Sequence, residues 1–518
     1  MTDIETFSFN KSGLEKIGSL RYGKNWPVVY LIENNRDIYV GETTSAYSRS
    51  KQHMSDEKKR IFKKIHIVSD EEYNKSATLD IESSLIEYLV ADGIYKVQNS
   101  NKELQNHNYF DREKYQTKFE LLWSDLRKRE IAKKDLLQLK NSDIFKYSPY
   151  KTLTDEQFMI AEELLNEVKK NNMHTSLIHG GPGTGKTILA IYLIKRLVEE
   201  GNNNVALVIA MDSLRSTLKK VFKSIPDLKA NMVISPSQAT KMKYDVLVVD
   251  EAHRLRQRVN LMNYKTFDKI NIKLELGKEG TELDWILKSS RKTILFYDEK
   301  QTIRPSDVSS VDIKELKTKD YILMSQLRVR GGGNYLDFIE NLLEIRQIEQ
   351  FPDFSKYDFK IYSDLEKLVA DIKKKNDKHK LSRIVAGYGW KWRSRNDKNI
   401  PDIVIDQTKL IWNSVSRDWL NSKNAINEVG CIHTIQGYDL NYAGVIIGPE
   451  IKYDKRKRQI VIDKDKYFDA NGKRSISDDK ELKRYIINIY KTLLTRGIMG
   501  TYVYVVDPNL REYFEANI

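Results

Sequence analysis

The sequence predicts an α/β protein, with two tandem parallel-sheet lobes preceded by a small α+β domain. Three observations lead there. Beyond residue 148, short apolar runs alternate with helical stretches, the pattern of a parallel sheet wrapped by helices. Residues 180–187, GGPGTGKT, stand between such a run and a helix. Before residue 148 the pattern is one of paired strands and short helices, followed by a highly charged helical stretch.

In chain order, residues 27–41, PVVYLIENNRDIYVG, read as two apolar runs flanking the turn-forming Glu33-Asn34-Asn35-Arg36, a hairpin signal. A helical stretch with Arg49 and His53 on one face follows, then a strand over Ile65–Val68 and a helix over Leu79–Val90. Residues 111–140 carry apolar side chains at helical intervals among many charges, which predicts one or two connecting helices. Ser148-Pro149 breaks that pattern. Strand runs then fall at Ser176–Ile178, Val205–Ile209, Val246–Val249 and Thr293–Phe296. They recur less regularly at Arg383–Ala386, Val445–Ile447 and Tyr502–Val506. The expected division is therefore 1–110 for the small domain, 111–148 for a helical linker, 149–325 for the first lobe and 326–518 for the second.

Composition narrows the function classes. No apolar run approaches the roughly 20 residues that a bilayer crossing needs, and MTDIETFSFNKSG is too acidic and polar for a secretory signal. The single cysteine, Cys431, excludes an intramolecular disulfide and any multi-cysteine zinc site. These features predict a cytoplasmic protein without a membrane partner. The net charge of +14 suits a polyanionic partner, because clustered Lys and Arg release counterions from a phosphate backbone. One cluster runs from Lys373, Lys374 and Lys375 through Lys378 and Lys380 to Arg383, with Arg393 and Arg395 beside Trp390 and Trp392; Lys452 and Lys455–Arg458 form another. Basic residues interleaved with aromatics suit a nucleic-acid strand that needs charge pairing and base stacking.

The chemistry is concentrated in a few motifs. GGPGTGKT fits the G-x-x-x-x-G-K-[ST] phosphate loop without a mismatch. Gly180, Gly181, Pro182, Gly183, Thr184 and Gly185 would wrap the phosphates of ATP, Lys186 would reach the β- and γ-phosphates, and Thr187 would ligate Mg²⁺. In VLVVDEAH, Asp250 and Glu251 end an apolar strand, where α/β sheets present their ligands. Asp250 would hold Mg²⁺, and Glu251 would polarise the attacking water.

The tetrapeptide Asp-Glu-Ala-His makes residues 149–518 resemble superfamily-one helicases, built on two RecA-like lobes. On that resemblance Gln157, in LTDEQ, stands for the adenine-reading glutamine. Asp298 and Gln301, in ILFYDEKQ, stand for the motif that senses the γ-phosphate, and Arg328, in LMSQLRVR, for a second-lobe arginine that contacts it. HTIQGYDL, with Thr434, Gln436 and Gly437 at its heart, resembles the motif linking nucleotide state to nucleic acid, and Arg496, in YKTLLTRG, the arginine finger. More narrowly, this stretch is similar to the P-loop family that also supplies the helicase-like C-terminal region of the longer Schlafen proteins. The first lobe has little room for the large inserted subdomains of processive helicases, and 331–430 could host only a small one.

Residues 28–41 resemble the GIY-YIG nucleases, with Val28-Val29-Tyr30 and Tyr39-Val40-Gly41 as the two triplets. Arg49 and His53 match that family's Arg-x-x-x-His helix, and Glu82, in LDIESSLIEYL, its metal-binding glutamate. The resemblance implies that a Tyr phenol deprotonates water when a cation lowers its pKa, Arg49 meets the phosphate, and Mg²⁺ on Glu82 stabilises the leaving oxygen. Asn99 lies where the family carries an asparagine, and no role is assigned to it. Together the resemblances imply an ATP-dependent translocase or helicase-like motor coupled to a Mg²⁺-dependent endonuclease, with DNA rather than RNA as partner. Two alternatives stay open: an ATP-switched nucleic-acid-binding module that neither cuts nor unwinds, and an RNA-directed nuclease.

Overall fold

The computed structural model describes residues 2–99, 109–170, 174–202, 204–261, 263–474, 476 and 478–518. The chain divides into two compact units. The first comprises Met1–Glu163, Ile191–Gly201 and Lys219–Ala230; the second comprises Leu164–Ala190, Asn202–Leu218 and Asn231–Ile518.

In the first unit, strands β1 (Asp3–Ser8), β2 (Val28–Glu33), β3 (Asp37–Thr43), β4 (Lys64–Ser69) and β5 (Lys96–Val97) form one sheet in the order β1-β4-β2-β3-β5. All neighbours are antiparallel except β3 and β5. Every residue of β2 is buried, which is why VVYLIE reads as a continuous apolar run rather than an alternating one. The β2–β3 turn forms as expected: the Asn34 side-chain oxygen accepts from the N–H groups of Arg36 and Asp37 at 2.8 and 2.7 Å, an Asx turn that sets the register. Helix Ala46–Ser55 starts at the Ser45 cap, and helix Lys75–Asp92 ends at Gly93 in the left-handed region (φ +76°). Residues 111–148, expected as a connector, belong to this unit. Their helix Arg112–Lys128 lays Phe119 and Trp123 against Tyr88, with ring centroids 5.2 and 5.5 Å apart. The Asp92 carboxylate accepts from the N–H groups of Lys133 and Lys134, fastening the next turn.

The second unit holds two parallel-sheet lobes, as the alternating pattern predicts. Strands β6 (His174–Gly180), β7 (Val205–Ile209), β8 (Val233–Ile234), β9 (Tyr244–Asp250), β10 (Ser290–Tyr297) and β11 (Thr318–Leu323) form an all-parallel sheet, ordered β11-β6-β10-β9-β7-β8. Then come β12 (Asp358–Tyr362), β13 (Ser382–Ala386), β14 (Ile403–Ile405), β15 (Thr408–Trp412), β16 (Glu428–Cys431), β17 (Leu440–Ile447), the separate hairpin β18 (Ile451–Asp454) and β19 (Gln459–Ile462), and β20 (Gly497–Val505). The second sheet runs β12-β20-β17-β13-β16-β15-β14 and is parallel except at β14–β15. Strands β7 and β13 are buried at every position, as strands covered by helices on both faces must be.

At the C-terminal end of β17, Glu450 is fully buried. Tyr490 donates to its Oε1 at 2.5 Å, while Oε2 has no hydrogen-bond partner. A Cβ on Gly387, Gly389 or Gly448 would fall 2.2–2.7 Å from the Glu450 oxygens, so three glycines make room for one carboxyl. Burial pushes that carboxyl up to about 7. The native state therefore binds this proton more tightly than the unfolded chain, whose glutamates titrate near ~4.3. The stabilising effect of the protonated form is complete below that value and is lost as pH rises to about 7. Glu450→Gln keeps the shape without the titration. Its Tm relative to the parent is expected to rise by on the order of 5 °C between pH 5 and pH 8, as read by thermal denaturation at both. A pH-independent difference would contradict the assignment.

Candidate functional site

Strand β6 ends at Gly180, and the loop to helix Lys186–Glu199 uses left-handed backbone at Gly183 (φ +83°) and Gly185 (φ +80°), where a side chain would be strained. Thr184 Oγ1 donates to the Gly181 carbonyl at 3.1 Å. The Lys186 ammonium donates to the carbonyls of Gly180 and Gly181 at 2.6 and 2.8 Å and lies 3.7 Å from Asp298. Gly183 is a point of close approach, since a Cβ there would sit 2.2 Å from Gln326 Oε1. The stretch that reaches it is Gln326–Arg328: the Gln326 amide donates to Pro182 O at 2.5 Å, and Leu327 N–H donates to Gly183 O at 2.9 Å. Gln326 sits in the same octapeptide as Arg328, but nothing in its spacing marks it as a phosphate-loop contact.

Asp250 ends β9, and Thr187 Oγ1 donates to its Oδ2 at 2.7 Å. Burial, then the neighbouring Glu251, pushes the Asp250 carboxyl well above the usual carboxylate range. Its Oδ1 is buried without a hydrogen-bond partner. A hydroxyl and an unsatisfied carboxylate oxygen side by side are the hard oxygen donors that suit Mg²⁺, and a cation there would reverse the rise. Glu251 takes a left-handed backbone (φ +54°). Burial alone would raise its carboxyl, but His253, whose Nε2 is 2.9 Å away, together with Lys186 and Arg496 holds it well below the usual carboxylate range. Glu251 is thus ionised beside the phosphate loop. His253 is a site residue whose contact the sequence pattern did not identify, although it completes the tetrapeptide.

A chain of one ion pair and two hydrogen bonds connects the two lobes of this unit. Lys186 faces Asp298, Gln301 Nε2 donates to Asp298 Oδ2 at 2.7 Å, and Arg496 Nη2 donates to Gln301 Oε1 at 3.3 Å. Arg496 is 1% exposed, and its Nη1 donates to the Tyr438 carbonyl at 3.2 Å. The Gly437 backbone (φ +86°) brings the HTIQGYDL segment against helix Asp212–Ser224: a Cβ on Gly437 would lie 3.2 Å from Leu214, and the Tyr438 hydroxyl is 3.0 Å from Thr217 Oγ1. Gln436 is fully buried, and neither amide atom has a hydrogen-bond partner. Thr434 Oγ1 is 3.0 Å from Cys431 Sγ. Arg328, expected to face a phosphate, is paired through Nε with Asp439 at 2.5 Å. Gln157 lies in the first unit on helix Asp155–Lys169, buried, with Oε1 accepting from Thr154 N–H at 3.1 Å.

The basic clusters need correction. Arg383 is 8% exposed and donates to the Leu420 carbonyl at 2.6 Å; Lys375 pairs with Asp358 at 2.8 Å and lies over the Tyr442 ring. Trp390 and Trp392 pack on the second sheet's core. Arg383 and Lys375 thus hold the lobe together, and the two half-buried tryptophans pack partly on its core. Lys373, Lys374, Lys378 and Lys380 of that stretch remain exposed.

The first unit gathers the other candidate residues. Tyr30 of β2 pairs across the ladder with Gly41 of β3, and a Cβ at position 41 would sit 2.2 Å from the Tyr30 hydroxyl. Only glycine leaves that hydroxyl its place. The Tyr30 hydroxyl is 2.7 Å from His53 Nε2 and accepts from Arg49 Nε at 3.3 Å; the Tyr30 and Tyr39 rings are 6.4 Å apart. Glu82, on helix Lys75–Asp92, is close enough to raise both phenols through its charge. Burial is the larger cause for each, and it holds Tyr30 well above the ordinary tyrosine range. A residue outside the motifs joins them. Lys59, on the turn Glu57–Lys59, bonds His53 Nδ1 at 2.8 Å and lies 3.4 Å from the Tyr39 ring centroid. Burial, then Lys59 and Arg49, lowers His53 to about 3, so its ring is neutral at physiological pH. With Lys59 donating into Nδ1, Nε2 carries the ring proton and donates to Tyr30. Asn99 clamps β3 by exchanging hydrogen bonds with both backbone groups of Val40, at 3.0 and 2.7 Å.

Among the described residues no helix is long and apolar enough to cross a membrane. The family model described as Schlafen group 3, DNA/RNA helicase domain, matches residues 173–507, more than half of the chain. The uncharacterized protein YPL245W of Saccharomyces cerevisiae is 27% identical over 422 residues, which cover 70% of this chain and 90% of that protein. The signal recognition particle receptor FtsY of Metamycoplasma hominis is 28% identical over 193 residues, 31% of this chain and 53% of that one. Among solved structures, the arterivirus nonstructural protein 10 helicase with DNA aligns over 68% of this chain and 66% of its own, with a TM-score of 0.31 and 11% identity. A Pif1 helicase from Bacteroides with ADP-AlF3 and ssDNA covers 66% and 91%, with a TM-score of 0.28 and 11% identity.

Proposed function

Because the chain belongs to the Schlafen group 3, DNA/RNA helicase domain family, we propose that it is an ATP-driven nucleic-acid motor coupled to a Mg²⁺-dependent endonuclease in its first unit. The observation that carries the motor reading is the chain Lys186–Asp298–Gln301–Arg496, which joins the phosphate loop of one lobe to an arginine of the other. The N–H groups of residues 181 and 183–187 and the Lys186 ammonium bind the ATP phosphates. Thr187 and Asp250 hold Mg²⁺, which when bound neutralises charge on the phosphates. Glu251, kept ionised by His253, accepts the proton of the attacking water. Arg496 and Arg328 meet the charge that develops as the bond to the leaving diphosphate breaks. Release of phosphate removes that attraction, and Gln301 and the Gly437 segment pass the change to the bound strand.

In the nuclease reading, a single carboxylate, Glu82, holds Mg²⁺, which needs few protein ligands because it keeps several waters. Arg49 binds the phosphate to be cleaved. Tyr39 gives up its own proton to solvent, the Lys59 ammonium against its ring favouring the phenolate, and the phenolate takes the proton of the attacking water; Tyr30, fed by His53 Nε2–H, positions Arg49. The raised phenols favour one rival reading, a module that binds nucleic acid without cutting it.

One experiment separates these readings: a digest of plasmid, linear DNA and RNA with and without ATP and Mg²⁺. Mg²⁺-dependent nicking by the parent is expected, falling by about 10²-fold or more in Tyr39→Phe and Glu82→Ala. Equal nicking by all three proteins, or none by the parent, would remove the nuclease. RNA cleaved in place of DNA would redirect it.

A further inference from the structure

A cavity of about 400 Å³ opens in the second lobe between the end of helix Gly332–Glu344, the β18–β19 hairpin and helix Asp479–Leu494. Its wall carries Arg458, Lys480, Lys483, Arg484 and Lys491 against one acid, Glu344. Two of the cations are occupied: Lys491 by Glu344, and Arg484 by Glu481 at 3.9 Å. Arg458, Lys480 and Lys483 make no ion pair among the described residues. The acids nearest to Lys480 in sequence are engaged as well, Asp478 by the Lys480 backbone N–H and Asp479 by Lys464.

The hairpin is a firm support. Asp454 Oδ1 accepts from the N–H groups of Arg456 and Lys457 at 2.9 and 3.0 Å, Arg458 takes a left-handed backbone (φ +47°), and Tyr453 stacks on Tyr513 with centroids 4.9 Å apart. Three cations with no acid to answer them, around a cavity at the lower end of the usual ligand-pocket range of roughly 300–1,000 Å³, make a receptor for an anion. Burial lowers the Lys483 ammonium for want of a countercharge, which an anion would supply. A larger cavity of about 680 Å³ reaches Gly180–Pro182 and shares Arg484 and Lys491 with this one, but none of Arg458, Lys480 and Lys483 lines it.

We propose that Arg458, Lys480 and Lys483 form a phosphate-binding pocket that takes the backbone of a single-stranded nucleic acid, apart from the ATP cleft. This rests on the reading that the chain binds nucleic acid. Ribose-phosphate backbone fits the site better than a bare ion, because Ile345, Ile460 and Ile487 line the cavity and give a sugar an apolar wall.

The test uses the full chain with Arg458, Lys480 and Lys483 all changed to Gln. A control carries Lys265→Gln, Lys269→Gln and Lys278→Gln, three residues on the surface of the first lobe. Fluorescence anisotropy with labelled single-stranded DNA and RNA of about 20 nucleotides is read across a salt series, beside Mg²⁺-ATP affinity and Tm. The pocket variant is expected to bind about 10- to 100-fold more weakly, with a salt slope reduced by about 2, because each lost contact removes roughly 0.7. The control should change by less than about 3-fold, and ATP affinity should hold. Equal losses in both variants would mean a general field and overturn the site. So would a pocket variant that loses ATP affinity instead, since its cations would then serve the nucleotide. A parent that binds no strand at all would take down the nucleic-acid reading and this site with it, an outcome distinct from the first two.

Discussion

Arg496→Ala is expected to lower strand-stimulated ATP turnover by about 10³-fold or more, the scale on which arginine fingers act. The guanidinium is buried and donates to Gln301 and to the Tyr438 carbonyl, so it is already desolvated where the proposed reaction would develop charge. A preorganised cation in a water-poor site needs no reorientation at the moment of reaction. The loss should fall on kcat, with ATP affinity changed far less, because the phosphate loop and Lys186 bind the ground state. Arg496→Lys distinguishes charge from geometry. A lysine cannot span Gln301 and Tyr438 together, so it should recover only a small part of the rate. Both variants need a Tm measurement, since removing a buried side chain also costs packing. A folded Arg496→Ala protein with parental turnover would end the motor account.

Glu251→Gln should abolish most hydrolysis, by about 10²- to 10⁴-fold, and leave nucleotide binding intact. The change removes one negative charge from a buried pair in which Asp250 is already forced up toward neutrality. Nucleotide affinity measured with a fluorescent analogue should therefore stay level or improve, while phosphate release nearly stops. The same variant should hold nucleic acid in the ATP-bound state, because the cycle halts before cleavage of the γ-phosphate. Parental phosphate release would reassign the base.

Much of the fold was legible because parallel strands covered on both faces must be apolar throughout. VALVI and VLVV declare themselves without any alternation. β1 did not, since Ile4 is its one fully buried residue and the rest of DIETFS is partly or wholly exposed. β14 and β15 escaped for the same reason: they are short, β14 is the edge of the sheet, and both mix exposed with buried positions. The site was legible where backbone chemistry demands a residue type. The phosphate-loop glycines and the strand-ending Asp250 are of that kind. Lys59 was not legible, because it reaches His53 and Tyr39 from a short turn that carries no periodicity. The basic stretch misled in the opposite direction. Charge in a sequence does not say whether the side chain faces solvent, and Arg383 and Lys375 face carbonyls, acids and rings.

The ladder partner of Tyr30 carries a lesson about what a motif records. Position 41 contributes no proton, no charge and no ligand atom, yet a single methyl added there would collide with the phenol oxygen opposite. The hairpin thus stores the shape of the opposing phenol as an empty space. In a library of single substitutions, the harm done at that silent position should follow the volume added and ignore its polarity.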